Sequence, residues 1–547
     1  MNYDETRDSE QLRLLTPAID DFINRFQNHQ PGASTCSRRT IFFFPGGMAS
    51  QLARAKQKFV DNLSAPQTFD YKTVWITMDV LKGAARKLEM YRDNQGVFRD
   101  KGDHIIIANG SVNLAGATPH CKFIDWCANN SADLFVFNWD WRRRLDETVN
   151  FFVGKFLPFF QERVMAAGCT DPLASLVLVG HSFGGMIVNL ILRGNDPAVT
   201  NMTHAITVGT PFYGYTGQAH RWFEGDEWVN GPLGVYKKEM IGVITSLPAL
   251  YVLGLLDGPT YDGNKTDLGS DAKSPLASYP SMDATNGAQR ADPYDPQPNG
   301  NLVRYPGNLG FNYYELEYAK LLSEKMAGPM DPALLKKFFH IRGVRAVADT
   351  AGAVTCGWIP SNFDPFINSS PIVDAPPMPG DNTQPAWTAR LVTNDPSRCI
   401  TVSGSDVSHM FLMNAAETLD AIGTILCGTG ATQNSPDDSE TATYEEAIQF
   451  VRWVNEPENA RIKWPALDDP KLFEKLPERF KKNFVGIARR IIMDILKRPA
   501  PHRARPRRDT PSGKPATGNP LRSPAAKSKS EAAEAPARRP RANSGNK

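Results

Sequence analysis

The sequence predicts an α/β protein built on a mostly parallel central sheet, and three observations carry that expectation. Short, continuous apolar runs recur along the chain without the in–out alternation of a sheet that has one wet face, as expected of strands covered on both sides. Glycine-containing turns and helical spacing follow several of these runs, the pattern of an open α/β sheet. The 547 residues exceed what one core with short loops requires, so insertions and tails are expected.

Leu12, Leu15, Ile19, Phe22, Ile23 and Phe26 fall at helical spacing, which predicts an N-terminal helical extension over 1–35. Thr40 to Phe44 is a β-favouring run that ends in the tight turn Pro45-Gly46-Gly47. Shorter runs follow at Val74–Thr77 and His104–Ile107, then stronger ones at Asp133–Phe137 and Ser175–Val179. A helical stretch, Gly185–Arg193, comes next, and Ala205–Val208, Phe338–Val347 and Ile400–Val402 complete the strand candidates. The core is therefore expected in two parts, 36–210 and 337–430. Between them, 211–336 is rich in Trp, Tyr, Gly and Pro and too long for a connection, which reads as a cap or lid insertion. A C-terminal helical extension is expected over 431–498.

From Pro499 to Lys547 the chain carries 12 Lys/Arg against 3 Asp/Glu and almost no large apolar residue. The net charge of +2 thus hides a body near −7 and a basic tail that cannot offset its ordering entropy by burial. No aromatic residues are interleaved in that tail, so nucleic acid is not an expected partner. Seven cysteines without a C-x-x-C pair argue against a zinc site and give no disulfide framework. The N-terminus is acidic and polar, with no positively charged segment followed by an apolar run, and a cytoplasmic location is the default. The apolar stretch Met240–Leu256 is short and interrupted by Pro248, so a buried or lid segment is expected there rather than a membrane span.

Gly180-His181-Ser182-Phe183-Gly184 fits G-x-S-x-G after a predicted strand and before an apolar helix, the context of a nucleophile elbow. A serine hydroxyl needs a base to take its proton. Among the histidines after Ser182, His502 lies in the tail and His204 at a strand start. His220 is at the beginning of the insertion, and His340 is inside an apolar strand. His409, on a loop between a strand and a helix, is the expected base. The acid that orients it lies upstream of His409, and strand-end logic leaves Asp349 and Asp381 open, with Asp374 and Asp406 as outsiders. The oxyanion needs backbone donors: the N–H of Phe183, and one from Gly47 or Met48 in the early glycine turn. Acyl transfer by such a triad requires no metal or organic cofactor.

The segment Phe42-Phe-Phe-Pro-Gly-Gly-Met-Ala-Ser-Gln-Leu52 resembles the "VPG-x-x-GS-x-L" opening of the lecithin–cholesterol acyltransferase family, within the α/β-hydrolase superfamily. Phe137-Asn-Trp-Asp-Trp-Arg142 resembles that family's "YDWR" segment, and Thr207-Val-Gly-Thr-Pro-Phe212 its "GTP" strand end. Gly380-Asp-Asn-Thr383 is similar to the acid motif, and Ser408-His409-Met-Phe-Leu-Met413 to the histidine motif. Matching segments run in family order over roughly 70% of the chain, from Phe42 to Leu426. The resemblance implies an α/β-hydrolase fold, Asp381 as the acid, and lipid acyl esters as substrates. Gln384 stands where the family has valine, and Met48-Ala49 departs from its glycine turn. The motifs serve a lipase, a phospholipase and an O-acyltransferase alike, because each proceeds through an acyl-enzyme.

Phe480, Phe484, Ile487, Ile491, Ile492 and Ile495 form one face of a helical pattern from Phe480 to Arg498 whose other face is basic. Such a helix either packs on the core or, with the tail, makes a peripheral contact with an anionic membrane. Two further readings stand beside the lipid one: a hydrolase for a non-lipid ester, and a membrane-surface or partner-binding protein that keeps the elbow without turnover.

Overall fold

The computed structural model describes residues 3–29, 37–57, 69–75, 84–112, 119–215, 217–222, 237–254, 312–345, 350–356, 372–389 and 396–428. Gaps of one or two residues fall inside several of these ranges, and part of 449–487 is also described. Helix α1 (Tyr3–Gln27) opens the chain and β1 (Arg39–Phe44) follows. Next come β2 (Ser50–Gln57), β3 (Phe69–Trp75) and β4 (Ile105–Ser111). Helix α2 (Cys121–Asn129) leads to β5 (Ala132–Val136), and β6 (Leu176–His181) runs into α3 (Phe183–Gly194). Strands β7 (His204–Val208), β8 (Phe338–Arg345) and β9 (Cys399–Gly404) precede α4 (Ala416–Cys427).

Among the described residues the central sheet has the order β9-β8-β7-β6-β1-β5, and every neighbouring pair is parallel. The fold is thus mixed α/β on a parallel sheet, consistent with an α/β-hydrolase-like architecture. Its two faces bury different halves of each strand. Phe42, Phe44, Phe135 and Leu178 join one apolar core, where Phe42 packs edge-on against Phe152, Phe156 and Phe160. Ile41, Phe43, Val177, Val179 and Ile206 join the other, beneath α2 and α4. Both faces being dry, the strands read as unbroken apolar runs.

From β1 the chain goes first to β5 on one side and then to β6 on the other. The switch in direction therefore falls between the carboxyl ends of β1 and β6, where open α/β sheets bind ligands.

Several expectations change. Val74 and Trp75 of the first short run and Ile105–Ile107 of the second belong to a separate antiparallel sheet, β3-β2-β4, rather than to the central one; Ile76 and Thr77 lie outside the described residues. Its middle strand, β2, escapes a search for apolar runs because Arg54, Lys56 and Gln57 dilute Leu52, Ala53 and Ala55. Helix α1 begins at Tyr3, ahead of the apolar spacing. Its polar first half is anchored by buried Gln11, which exchanges two 2.9 Å hydrogen bonds with the backbone of Ala108 on β4.

Of Met240–Leu256, Ile241, Val243, Tyr251 and Val252 are buried in the larger core, and no helix among the described residues is long and apolar enough to cross a membrane. Phe480, Phe484 and Ile487 are also buried there, with Phe480 5.2 Å from Phe450 and 5.4 Å from Trp453 between ring centroids. These three side chains are committed to the core and not to a bilayer; residues 488–498 and the tail lie outside the described residues. Cys427 is disulfide-bonded, whereas Cys121, Cys127, Cys169 and Cys399 are free.

His340 fits the core-histidine reading: fully buried on β8, its Nδ1 2.9 Å from Thr207 Oγ1 and its Nε2 donating to the Ala389 carbonyl at 2.6 Å. Burial lowers its pKa from 6.5 to about 3, although the Ala389 contact opposes the shift. The unfolded chain binds a proton below pH 6.5 that the fold refuses. Stability is therefore complete above that pH and drains as the pH falls toward 3, by about 1.4 kcal/mol per pH unit for this side chain. Urea unfolding at pH 7, 6 and 5 is expected to show a decline that is shallower by about that slope in His340→Gln. Equal slopes would contradict it.

Candidate active site

The site is built where β6 turns into α3. Ser182 stands at this turn with φ 52° and ψ −120°, a backbone conformation that L-residues avoid and that a surrounding structure must impose. The turn is forced by close packing. A Cβ on Gly184 would lie 2.1 Å from the carbonyl oxygen of Phe44, and one on Gly180 2.6 Å from that of Gly184. Only hydrogen fits at either position. Ser182 N–H donates to Val208 O at 2.8 Å, tying the bend to the end of β7.

Two other strand ends meet it. Arg345 N–H, at the end of β8, donates to Gly380 O at 2.8 Å, bringing the Gly380–Gln384 turn back to the sheet after a long excursion. The loop after β9 carries His409. His409 Nε2 is 2.8 Å from Ser182 Oγ, and its Nδ1 is 2.7 Å from Asp381 Oδ2. The His409 N–H also donates to the Asp381 carbonyl at 2.8 Å, so ring and backbone are gripped by one residue. Asp381 is 1% exposed, and its Oδ1 accepts from the N–H groups of Thr383 (3.1 Å) and Gln384 (2.6 Å). Asn382, at φ 73°, donates its N–H to Thr350 Oγ1. With the carboxylate held by three donors, the imidazole proton sits on Nδ1 and the Nε2 lone pair faces the hydroxyl.

The residues weighed for the oxyanion lie beside this group. Pro45 O accepts from Trp139 Nε1 at 3.0 Å and Met48 O from Trp75 Nε1 at 2.8 Å, which turns both carbonyls toward indoles. Met48 has φ 67°, and a Cβ on Gly47 would lie 2.9 Å from the Phe183 ring. Among the described residues no hydrogen bond reaches the N–H of Gly47, Met48 or Phe183. Phe183 begins α3, so its N–H is one of the unsatisfied donors at a helix start. All three residues line an open cleft over Ser182, together with Trp141, Leu250, Leu253, Met410 and Arg221.

No family model matches this sequence, and no curated protein matches it. A solved structure described as "The crystal structure of Tle4-Tli4 complex" superposes with a TM-score of 0.42 and 12% identity, covering 73% of this chain and 100% of that one. A likeness that loose has no bearing on the chemistry.

Of the competing candidates, His340 is used in the core and His204 is half-buried on β7. Asp374 lies on the short strand Ile372–Asp374, paired with Val354–Cys356. Asp349, Asp406, His220 and His502 lie outside the described residues. Gln384, the departure from the family pattern, is 3% exposed and accepts at Oε1 from Thr388 Oγ1, so its longer polar side chain braces the acid turn.

Sequence reasoning missed the support of the early loop by Trp75 and Trp139, and a pair of buried histidines, His120 and His181. A 2.1 Å clearance leaves no room for a methyl group. Gly184→Ala is expected to cost about 3 kcal/mol or more in urea unfolding, at the upper end of overpacking penalties. A loss under about 1 kcal/mol would mean that α3 does not abut β1 this closely.

Proposed function

We propose that this chain is a serine enzyme of the α/β-hydrolase fold that makes or breaks lipid acyl esters through Ser182, His409 and Asp381. The observation that carries the reading is the His409 ring spanning Ser182 Oγ and Asp381 Oδ2 at 2.8 and 2.7 Å. His409 takes the hydroxyl proton as Ser182 Oγ attacks the ester carbonyl, and Asp381 stabilises the imidazolium that forms. The N–H of Phe183 and that of Met48 or Gly47 hold the developing oxyanion. The imidazolium then gives its proton to the leaving alkoxide, which departs as the alcohol and leaves an acyl group on Ser182. Water, deprotonated by the same ring, releases the acid; an alcohol in its place yields a new ester.

The wall of Trp141, Leu250, Leu253 and Met410 suits an acyl chain better than a polar one. Leu250 and Leu253 belong to the 211–336 stretch, which supports its reading as a substrate-covering insertion in a core made of 36–210 and 337–430.

A fluorophosphonate probe is expected to label the purified chain at Ser182, and Ser182→Ala to abolish labelling. Asp381→Asn is expected to lower kcat about 10⁴-fold by leaving the imidazole in the wrong tautomer. With p-nitrophenyl esters, kcat/KM should rise from acetyl to long acyl chains, and labelled phospholipid with and without an alcohol acceptor separates transfer from hydrolysis. A preference for acetyl would favour a non-lipid ester. Absence of both labelling and turnover would favour a binding protein.

A further inference from the structure

This inference rests on the preceding reading of Ser182, His409 and Asp381. His181, the residue between Gly180 and Ser182, is 4% exposed, and so is His120, just before α2. His181 Nε2 is 2.9 Å from the carbonyl oxygen of His409, and His181 Nδ1 is 3.3 Å from His120 Nε2. The contacts fix the protons. A carbonyl only accepts, so His181 carries its hydrogen on Nε2. Its Nδ1 is then a lone pair, and His120 Nε2 must be the donor to it. Burial lowers the pKa of His120 to about 3, and burial followed by the neighbouring His120 and His409 pushes that of His181 well below its usual value. Both rings stay neutral, which is the state this chain of donors requires.

The His409 peptide is thus held at both ends. Its N–H is bound by Asp381 O at 2.8 Å and its C=O by the His181 ring. Asp381 holds one end and the buried Leu412 and Met413 anchor the chain just downstream, so the His181 bond is what sets the orientation of the carbonyl between them. The His181 ring lies beside that of His409, with centroids 5.3 Å apart, and close enough to Gly46 that a Cβ there would come within 3.2 Å of His181 Nδ1.

We propose that His181, backed by His120, is a positioning residue: it anchors the His409 carbonyl and so fixes the distance from the imidazole to the nucleophile. Neither ring touches the reacting atoms. The serine motif therefore carries, one residue before its nucleophile, the fastening for the base.

The test uses the full chain with p-nitrophenyl butyrate and compares His181→Gln, His181→Asn and His181→Leu. Glutamine puts an N–H donor where Nε2 stood and keeps the bond to His409 O; asparagine mimics Nδ1 and loses that bond; leucine loses both. Kcat is expected to fall about 100-fold in the leucine and asparagine variants with KM within twofold, and to return within tenfold of wild type in the glutamine variant. Packing alone would not separate Gln from Asn in this way. If His181→Leu does not fold, the Gln–Asn pair decides. The proposal is overturned if a folded His181→Leu retains kcat within threefold, or if Asn is as active as Gln. A wild-type chain with neither turnover nor Ser182 labelling overturns the reading of the site itself, and this one with it.

Discussion

The bend at Ser182 is the constraint on which the rest of the site depends. A serine at φ 52° is unfavourable by itself, and three contacts enforce it: the amide bond to Val208 O, the approach of Gly184 to Phe44 O, and the abutment of Gly180 on Gly184. Each is a contact between backbones, so none depends on a flexible side chain. The parallel sheet supplies them because β1, β6 and β7 lie side by side and end at one level. Once the hydroxyl is fixed there, the loops after β8 and β9 need only deliver an acid and a base to the same edge.

Delivery is economical for His409 and indirect for Asp381. His409 follows β9 within a few residues. Asp381 comes after an excursion that begins at Arg345, and the chain is returned to β8 by Arg345 N–H to Gly380 O and His340 Nε2 to Ala389 O. This difference explains how legible each was. The elbow is legible because its demand for glycine is local and written in five residues. His409 is legible because loop position alone separates it from histidines inside strands. Asp381 is not, since Asp349 directly follows the same strand, and only likeness to a known family's motif distinguished the two.

The fold divides in the same way. Central strands, dry on both faces, advertise themselves as runs such as Ile41–Phe44. Strand β2 does not, because Arg54 and Lys56 interrupt it and, Leu52 apart, its buried apolar residues are alanines. The polar half of α1 is helical because Gln11 satisfies the edge of β4, a contact across 97 residues. His120 meets His181 across 61 residues, and nothing near either in the sequence announces it.

Arg142 has a consequence for how this chain can change. Fully buried, it pairs with Asp100 at 2.7 Å and with Asp140 at 2.6 Å; burial pulls its pKa down, but the two carboxylates more than reverse that, and it stays charged. Its neighbours Trp139 and Trp141 bond to Ser50, at the end of the early glycine loop. Losing Arg142 would strand two carboxylates in the interior, at roughly 3–5 kcal/mol, and losing one carboxylate would remove half of the guanidinium's compensation, whereas replacing all three with apolar residues can be neutral. The three positions are therefore epistatically locked. A lineage drifting by single steps meets a barrier at each of them, and the trio is expected to persist or to vanish as a unit.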